Sequence, residues 1–325
     1  MTDRASAPPL WLAYARLFRL PNVFTALADI GMGLAFVGFQ PAAHVPATVA
    51  LALASALLYS AGMVLNDVFD VELDRVERPA RPLPSGQIDL AWARALGFTL
   101  LTCGVVAAWA AGLLFANGAA LPWRSGLLGM VLAALVVLYD RILKRTWLGP
   151  VGMGACRCGN VLLGMSLAGY GAVGPTALLG YERSQWLAAA GIGIYIVGVT
   201  WFARTEATTS RRGHLLAALG VMAGGIVLLG MIPHYAGQYG SVRFQPAVFW
   251  PVLLAALFVP LARRGGNAVI YPEPQRVQAV VKNSIQSLIL FDAATAMAVH
   301  GPYWGLAILA LLIPTLLLGR WIYST

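Results

Sequence analysis

Six of the thirteen acidic residues lie between positions 67 and 89: Asp67, Asp70, Glu72, Asp74, Glu77 and Asp89, directly after a long apolar run. Over positions 66–74, a helix advancing about 100° per residue brings Asp67, Asp70 and Asp74 within roughly 60° of one another, with Asn66 flanking the same face. Three like charges on one face repel. A hard, octahedral cation relieves that repulsion, and Mg2+ suits the donors because it prefers oxygen, keeps several waters and bridges to phosphate oxygens. Glu72 points away and is expected to be solvated. The competing reading is a charged helix end that only marks a membrane boundary.

The elements that must position these acids are apolar. Of 325 residues, 59% are apolar and 11% charged, where a soluble protein is about a quarter charged. Disorder, secretion and a disulfide scaffold are excluded. Runs long enough to span a bilayer fall at 20–39, 46–66, 91–115, 124–140, 148–170, 186–203, 214–233, 246–261, 279–299 and 302–321. They predict an all-α, polytopic transmembrane helical bundle forming a single integral-membrane domain over 1–325. The last two runs are divided at Gly301 and Pro302, because proline ends helices. The first run is too long for a signal-peptide core and is expected to remain as a span. With the N-terminus placed inside, the 22 basic residues divide into 18 inside, 3 in outer loops (Arg124, Arg183 and Arg243) and 1, Arg157, within a span. Both termini and the long segments 67–90 and 262–278 are therefore expected in the cytoplasm. Abundant Arg, Ala and Gly point to a bacterial source. The net charge of +9 follows this topology rather than an interleaved basic patch, so no nucleic acid partner is expected. Cys103, Cys156 and Cys158 lie in apolar segments and read as packing residues, since a lone C-x-C is a poor zinc site.

Polar residues inside spans are costly and face the bundle interior. Asn22 and Asp29, seven apart, share one face of the first span, and Arg157 and Asn160 share one face of the fifth. Asp292 in the ninth span reads either as a bridge to Arg157 or as a proton acceptor.

Asn66-Asp67-x-x-Asp70-x-x-x-Asp74, followed by Arg78-Pro79 and by Arg81-Pro82-Leu83-Pro84-Ser85-Gly86, resembles the first aspartate-rich signature of the UbiA-type intramembrane prenyltransferases. Arg19-Leu20-Pro21-Asn22 and Tyr139 with Leu143-Lys144-Arg145 are also similar to that family. The resemblance implies a bundle, usually of nine spans where the runs here give ten, around a central cavity that takes a polyprenyl diphosphate and a lipophilic acceptor from the bilayer, using Mg2+ held by Asp67, Asp70 and Asp74. Ionising an allylic diphosphate needs positive charge on the leaving group and a dry, apolar chamber. Lys144, Arg145 and Arg81 are expected to contact phosphate, unless they only anchor the cytoplasmic face. Tyr139, Tyr195 and Trp201 either shield a cation with their rings or anchor the interface. The expected substrate-binding set is Asn22, Asn66, Arg81, Tyr139, Arg145, Arg157, Asn160, Glu206 and Arg211, with Asp67, Asp70, Asp74 and Lys144 as the reacting centre.

The family's second aspartate-rich motif is not matched. The corresponding segment, 201–212, holds one acid, Glu206, among Arg204, Arg211 and Arg212. In this the chain resembles the EboC-like relatives within the family. The expected activity is Mg2+-dependent transfer of a prenyl group to an aromatic or other lipophilic acceptor. The alternative is a UbiA-like protein that binds prenyl lipid, or serves transport or export, without turnover. The D-G-x-x-A-R core of CDP-alcohol phosphotransferases is absent, and no inverted repeat points to a secondary transporter.

Overall fold

Backbone groups shut away from water must pair within their own segment, and this chain meets that demand almost entirely with helices. The computed structural model describes residues 9–169, 178–205, 209–235 and 249–322. Short α1 (Leu10–Leu17) leads into α2 (Leu20–Phe36) and α3 (Val45–Phe69), which is followed by the seven-residue α4 (Val71–Glu77). Then come α5 (Leu90–Leu114), α6 (Arg124–Arg141), α7 (Gly149–Gly164) and α8 (Arg183–Ala203). The chain continues through α9 (Arg212–Gly230), α10 (Ile232–Tyr235), α11 (Trp250–Ile270), α12 (Pro274–His300), α13 (Pro302–Leu309) and α14 (Leu312–Leu318). The 3-10 turns Leu143–Arg145 and Met165–Leu167 flank α7.

Five helical stretches among the described residues, α3, α5, α8, α9 continued through α10, and α11, are long and apolar enough to cross a membrane. The chain is thus an all-α polytopic membrane bundle. Local signals set several ends. Asp89 accepts from Trp92 N at 2.8 Å to cap α5, Glu182 and Gln185 form a capping box on α8, and Gly301, at φ 104°, turns α12 into α13 before Pro302. These are the N-cap and proline devices expected at helix ends.

Successive helices pack side by side from α3 through α5, α6, α7, α8, α9 and α11 to α12, and α12 returns onto α2. Helix α2 is the enclosed member, with 13 of its 17 residues buried, so it faces protein rather than lipid. Small residues allow this closeness. A Cβ on Gly33 of α2 would stand 2.5 Å from the Gly164 carbonyl carbon of α7, and one on Gly225 of α9 would stand 2.5 Å from the Tyr195 amide nitrogen of α8.

Three expectations need correction. The acid-rich segment is not one continuous helix: α3 ends at Phe69, and Asp70, at φ −101° and ψ 5°, sits at the break before α4. The segment 262–278 is not a long loop. Helix α11 runs to Ile270 through Pro260, α12 begins at Pro274, and three residues join them, because helix ends outside the apolar layer tolerate Arg263, Arg264 and Arg276. Arg124, assigned to an outer loop, is 2% exposed. Its guanidinium donates to the Met165, Ser166 and Gly180 carbonyls and lies 4.4 Å over the Tyr181 ring, so it satisfies carbonyls left open where α7 ends.

Candidate active site

A cavity of about 380 Å3 lies among α2, α3, α6, α7, α8 and α12. Each of three helices presents a stripe to it at helical spacing. Asn22, Thr25 and Ala26 come from α2; Ser55, Tyr59, Met63 and Asn66 from α3; Met153, Cys156, Arg157 and Asn160 from α7. Leu58, Val136, Ile196 and Leu288 give the walls their apolar character.

One end of the cavity is built where α3 breaks. Asn66 and Asp67 end α3, Asp70 occupies the break and Asp74 lies on α4, while Arg81 follows in the turn beyond. Arg81 Nη1 reaches Asp74 Oδ2 at 2.7 Å and Asp67 Oδ1 at 3.4 Å. Arg19 Nη2 approaches Asp67 Oδ1 at 3.3 Å. Arg19 itself takes the left-handed conformation, φ 46° and ψ 49°, uncommon for a side-chain-bearing residue; backbone strain of this kind clusters at functional sites. The 3-10 turn before α7 delivers Lys144, whose Nζ is 2.8 Å from Asp70 Oδ2 and 3.3 Å from Asn66 Oδ1. Arg145 Nη2 donates to the Phe69 carbonyl at 3.2 Å and stands 3.9 Å from Asp70 Oδ1.

Asp67 and Asp74 are therefore joined through Arg81, while Asp70 is paired with Lys144. Among the described residues no group of three or more His, Cys, Asp or Glu side chains stands ready as a metal site. The cavity surface shows Arg19, Asn66, Arg78 and Arg81 rather than the three carboxylates. The donor set still fits Mg2+, since it is all carboxylate and amide oxygen, and Mg2+ commonly takes only one or two carboxylates together with substrate phosphates.

Of the expected substrate-binding set, Asn22, Asn66, Arg81, Tyr139, Arg157 and Asn160 line the cavity. Lys144 and Arg145 stand beside Asp70 without lining it, and the Arg145 side chain is 66% exposed. Arg211 is exposed at the start of α9 and away from the lining. Glu206 lies outside the described residues. Tyr195 is enclosed, donating to the Ser284 carbonyl at 3.0 Å against Phe291, and Trp201 packs on His214. Neither lines the cavity. Tyr59 and Asp140 do and were not anticipated, and Arg78, quoted above only within the signature, lines it too. The signal for Tyr59 was present, since it lies seven residues before Asn66 on one face of α3. Asp140, next to Tyr139, reads as an ordinary charged span end.

Deeper along α2, Asp29 Oδ2 holds Arg157 Nε at 2.8 Å and receives Asn160 Nδ2 at 2.8 Å. Ser55 donates to Asn160 Oδ1 at 2.7 Å. Arg157 thus pairs with Asp29 and not with Asp292, which is fully buried on α12.

The fold and site define an intramembrane helical bundle with a largely apolar cavity, charged at one end by acids on a broken helix and by facing bases. The chain belongs to the UbiA prenyltransferase family, whose model matches residues 23–273. It is similar to the digeranylgeranylglyceryl phosphate synthases of Sulfurisphaera tokodaii, 34% identical over 94 residues (29% of this chain, 34% of the relative), and of Ignicoccus hospitalis, 36% identical over 137 residues (42% and 40%). The chain thus spans less than half the length of these curated relatives. A UbiA homolog from Archaeoglobus fulgidus has the same fold, with a TM-score of 0.61 at 15% identity over 92% of this chain and 99% of that one. The structure of that homolog bound to GPP and Mg2+ matches with a TM-score of 0.58 at 16% identity, over 92% and 99% of the two chains.

Proposed function

We propose that this protein transfers a prenyl group from a polyprenyl diphosphate to a lipophilic acceptor, aromatic or otherwise, in an Mg2+-dependent reaction within the membrane. The observation that carries the reading is the cavity's polarity: cationic and acidic groups gathered at one end, apolar walls beyond. The allylic C–O bond breaks with its electrons leaving on diphosphate, the acceptor atom bonds to the allylic carbon, and the acceptor releases one proton. Bound Mg2+ supplies charge that steadies the departing diphosphate. Asp67, Asp70 and Asp74, with Asn66, are its ligands in this reading. Lys144, Arg81, Arg19 and Arg145 exchange their carboxylate partners for phosphate oxygens, Arg through its planar fork. Tyr59 and Tyr139 turn aromatic rings toward the cavity, where a ring face stabilises positive charge. The apolar walls keep water from capturing the allylic cation.

The single domain over 1–325 crosses the bilayer ten times in this proposal, through α2, α3, α5, α6, α7, α8, α9, α11, α12 and the α13–α14 pair. The distribution of basic residues supports cytoplasmic termini, and residue usage supports a bacterial cytoplasmic membrane. One acid in segment 201–212 favours the EboC-like subgroup and a second reading, prenyl-lipid binding without turnover.

Purified protein with Mg2+ and a panel of prenyl diphosphates, with and without membrane extract, tests both readings. Pyrophosphate release that depends on extract is the expected result. Tight diphosphate binding with no release under any extract supports the binding reading instead, and absence of binding overturns both.

A further inference from the structure

Prenyl transfer leaves one step without a residue: the acceptor must lose a proton inside a chamber whose walls keep water out. Among the described residues that line the cavity, Asp140 is the one carboxylic acid. Leu132, Val136, Tyr139 and Asp140 form the lining stripe of α6, at the spacing that puts residues on one helix face. Asp140 sits in the last turn of α6, beside Tyr139 and four residues before Lys144, so the stripe runs from apolar wall to charged end. The other polar lining groups are amides, hydroxyls, a thiol and guanidinium groups, none of which takes up a proton as readily as a carboxylate. Asp292, the other acid that the sequence offers as proton acceptor, is fully buried and lies off the lining.

The fold gains nothing from this acid. Asp140 is 2% exposed, and it makes no hydrogen bond or ion pair among the described residues. Its Oδ2 is shut away with no partner, while Oδ1 is not enclosed in this way. A buried polar group left unpaired is costly, and an acid in the last turn of a helix also meets the negative end of the helix dipole. The three signature acids, by contrast, each have a base: Asp67 has Arg19 and Arg81, Asp70 has Lys144 and Arg145, and Asp74 has Arg81. Four bases thus face three acids, and a fourth carboxylate brings that end to neutrality.

We propose that Asp140 is the catalytic residue that takes the acceptor's proton. The allylic C–O pair leaves on diphosphate, and an electron pair of the acceptor forms the new bond to the allylic carbon. The acceptor, now positively charged, is a far stronger acid than a carboxylic acid. Its bond to hydrogen breaks, the electrons stay with the acceptor, and the proton passes to Asp140 Oδ1. The carboxyl returns that proton to water once the products leave. This assignment rests on the prenyl-transfer reading and supplies its missing base.

Asp140→Asn and Asp140→Ala are compared with the parent in nanodiscs, with Mg2+, membrane extract as the acceptor source and the prenyl diphosphate that the parent uses best. Asp140→Asn should bind that diphosphate within about twofold of the parent yet release pyrophosphate at least about a hundredfold more slowly, the lower end of what a positioned base contributes. Formate, a small carboxylate, should restore release by Asp140→Ala in proportion to its concentration and leave the parent unchanged, which a merely structural acid would not produce. Release by Asp140→Asn at the parent's rate overturns the proposal and gives the proton to diphosphate. So does a slow Asp140→Ala that formate does not restore, or a loss of diphosphate affinity as large as the loss of rate. If Asp140→Asn does not fold, Asp140→Ala with formate decides the matter. No release by the parent with any extract sinks the prenyl-transfer reading and this assignment with it, whereas the other outcomes leave that reading standing.

Discussion

Arg81 shows how much the charged end depends on single residues. It is the shared partner of Asp67 and Asp74, two buried carboxylates of which Asp67 also meets Arg19. Arg81→Ala leaves Asp74 without that cation and should lower stability by about 1.5–3 kcal/mol, the range for hydrogen bonds to charged groups, read as a drop in unfolding midpoint. In the proposed function the same variant weakens prenyl diphosphate binding as well. Arg211→Ala is the contrast, because an exposed arginine away from the cavity should change both by little. A large loss of diphosphate affinity in Arg211→Ala would mean that the start of α9 swings over the charged end. Asp70→Asn separates metal from fold. Its side chain is 19% exposed and held by Lys144, so the amide should fold normally yet weaken Mg2+-dependent diphosphate binding, measured by calorimetry with and without the metal. Unchanged binding in Mg2+ would remove Asp70 from the proposed ligand set.

At the level of elements, the site is only as accurate as the approach of α2 to α7. Arg157 and Asn160 reach across to Thr25, Ala26 and Asp29, and the crossing near Gly33 and Gly164 sets that distance. Gly33→Leu forces backbone apart and should destabilise by at least about 1–3 kcal/mol, as overpacking does. Gly224→Ala, with nothing within 4 Å of the new carbon, should be tolerated, and thermal unfolding of both variants checks the pair. Most helix positions were legible in the sequence because apolar runs, prolines and caps act locally. Asn22 with Asp29, and Arg157 with Asn160, were legible as faces because helical spacing is local too. The break at Asp70 was not, since the same residues satisfy an unbroken helical pattern until Lys144 and Arg81 hold α4 at its own angle. Nor was the ion pair of Asp29 with Arg157, which joins α2 to α7 across a long stretch of chain. Arg124 misled for a related reason: a basic residue beside a span reads as a topology marker until the carbonyls it satisfies are known.

For the whole molecule, closure of the ring carries the topology. Helix α12 packs on α2, and α13 and α14 add to both, so the last pair belongs to the bundle and is no loose tail. Its 17 residues rise roughly 25 Å as helix, close to the thickness of the apolar layer of about 30 Å. The break between α13 and α14 at Ala310 and Leu311 leaves two outcomes with opposite sidedness. If the pair spans, as in the ten-crossing proposal, Arg320 returns to the side that holds Ser85 and Gln275. If it turns back within the membrane, Arg320 emerges on the other side. Single cysteines at Ser85, Gln275 and Arg320, in a background lacking Cys103, Cys156 and Cys158, distinguish these with a membrane-impermeant thiol reagent applied to cells and to inverted vesicles. All three should label only in inverted vesicles. Labelling of Arg320→Cys in intact cells, with Gln275→Cys still protected, would remove the tenth crossing while leaving the cavity, which draws its lining from α12 and earlier elements, as described.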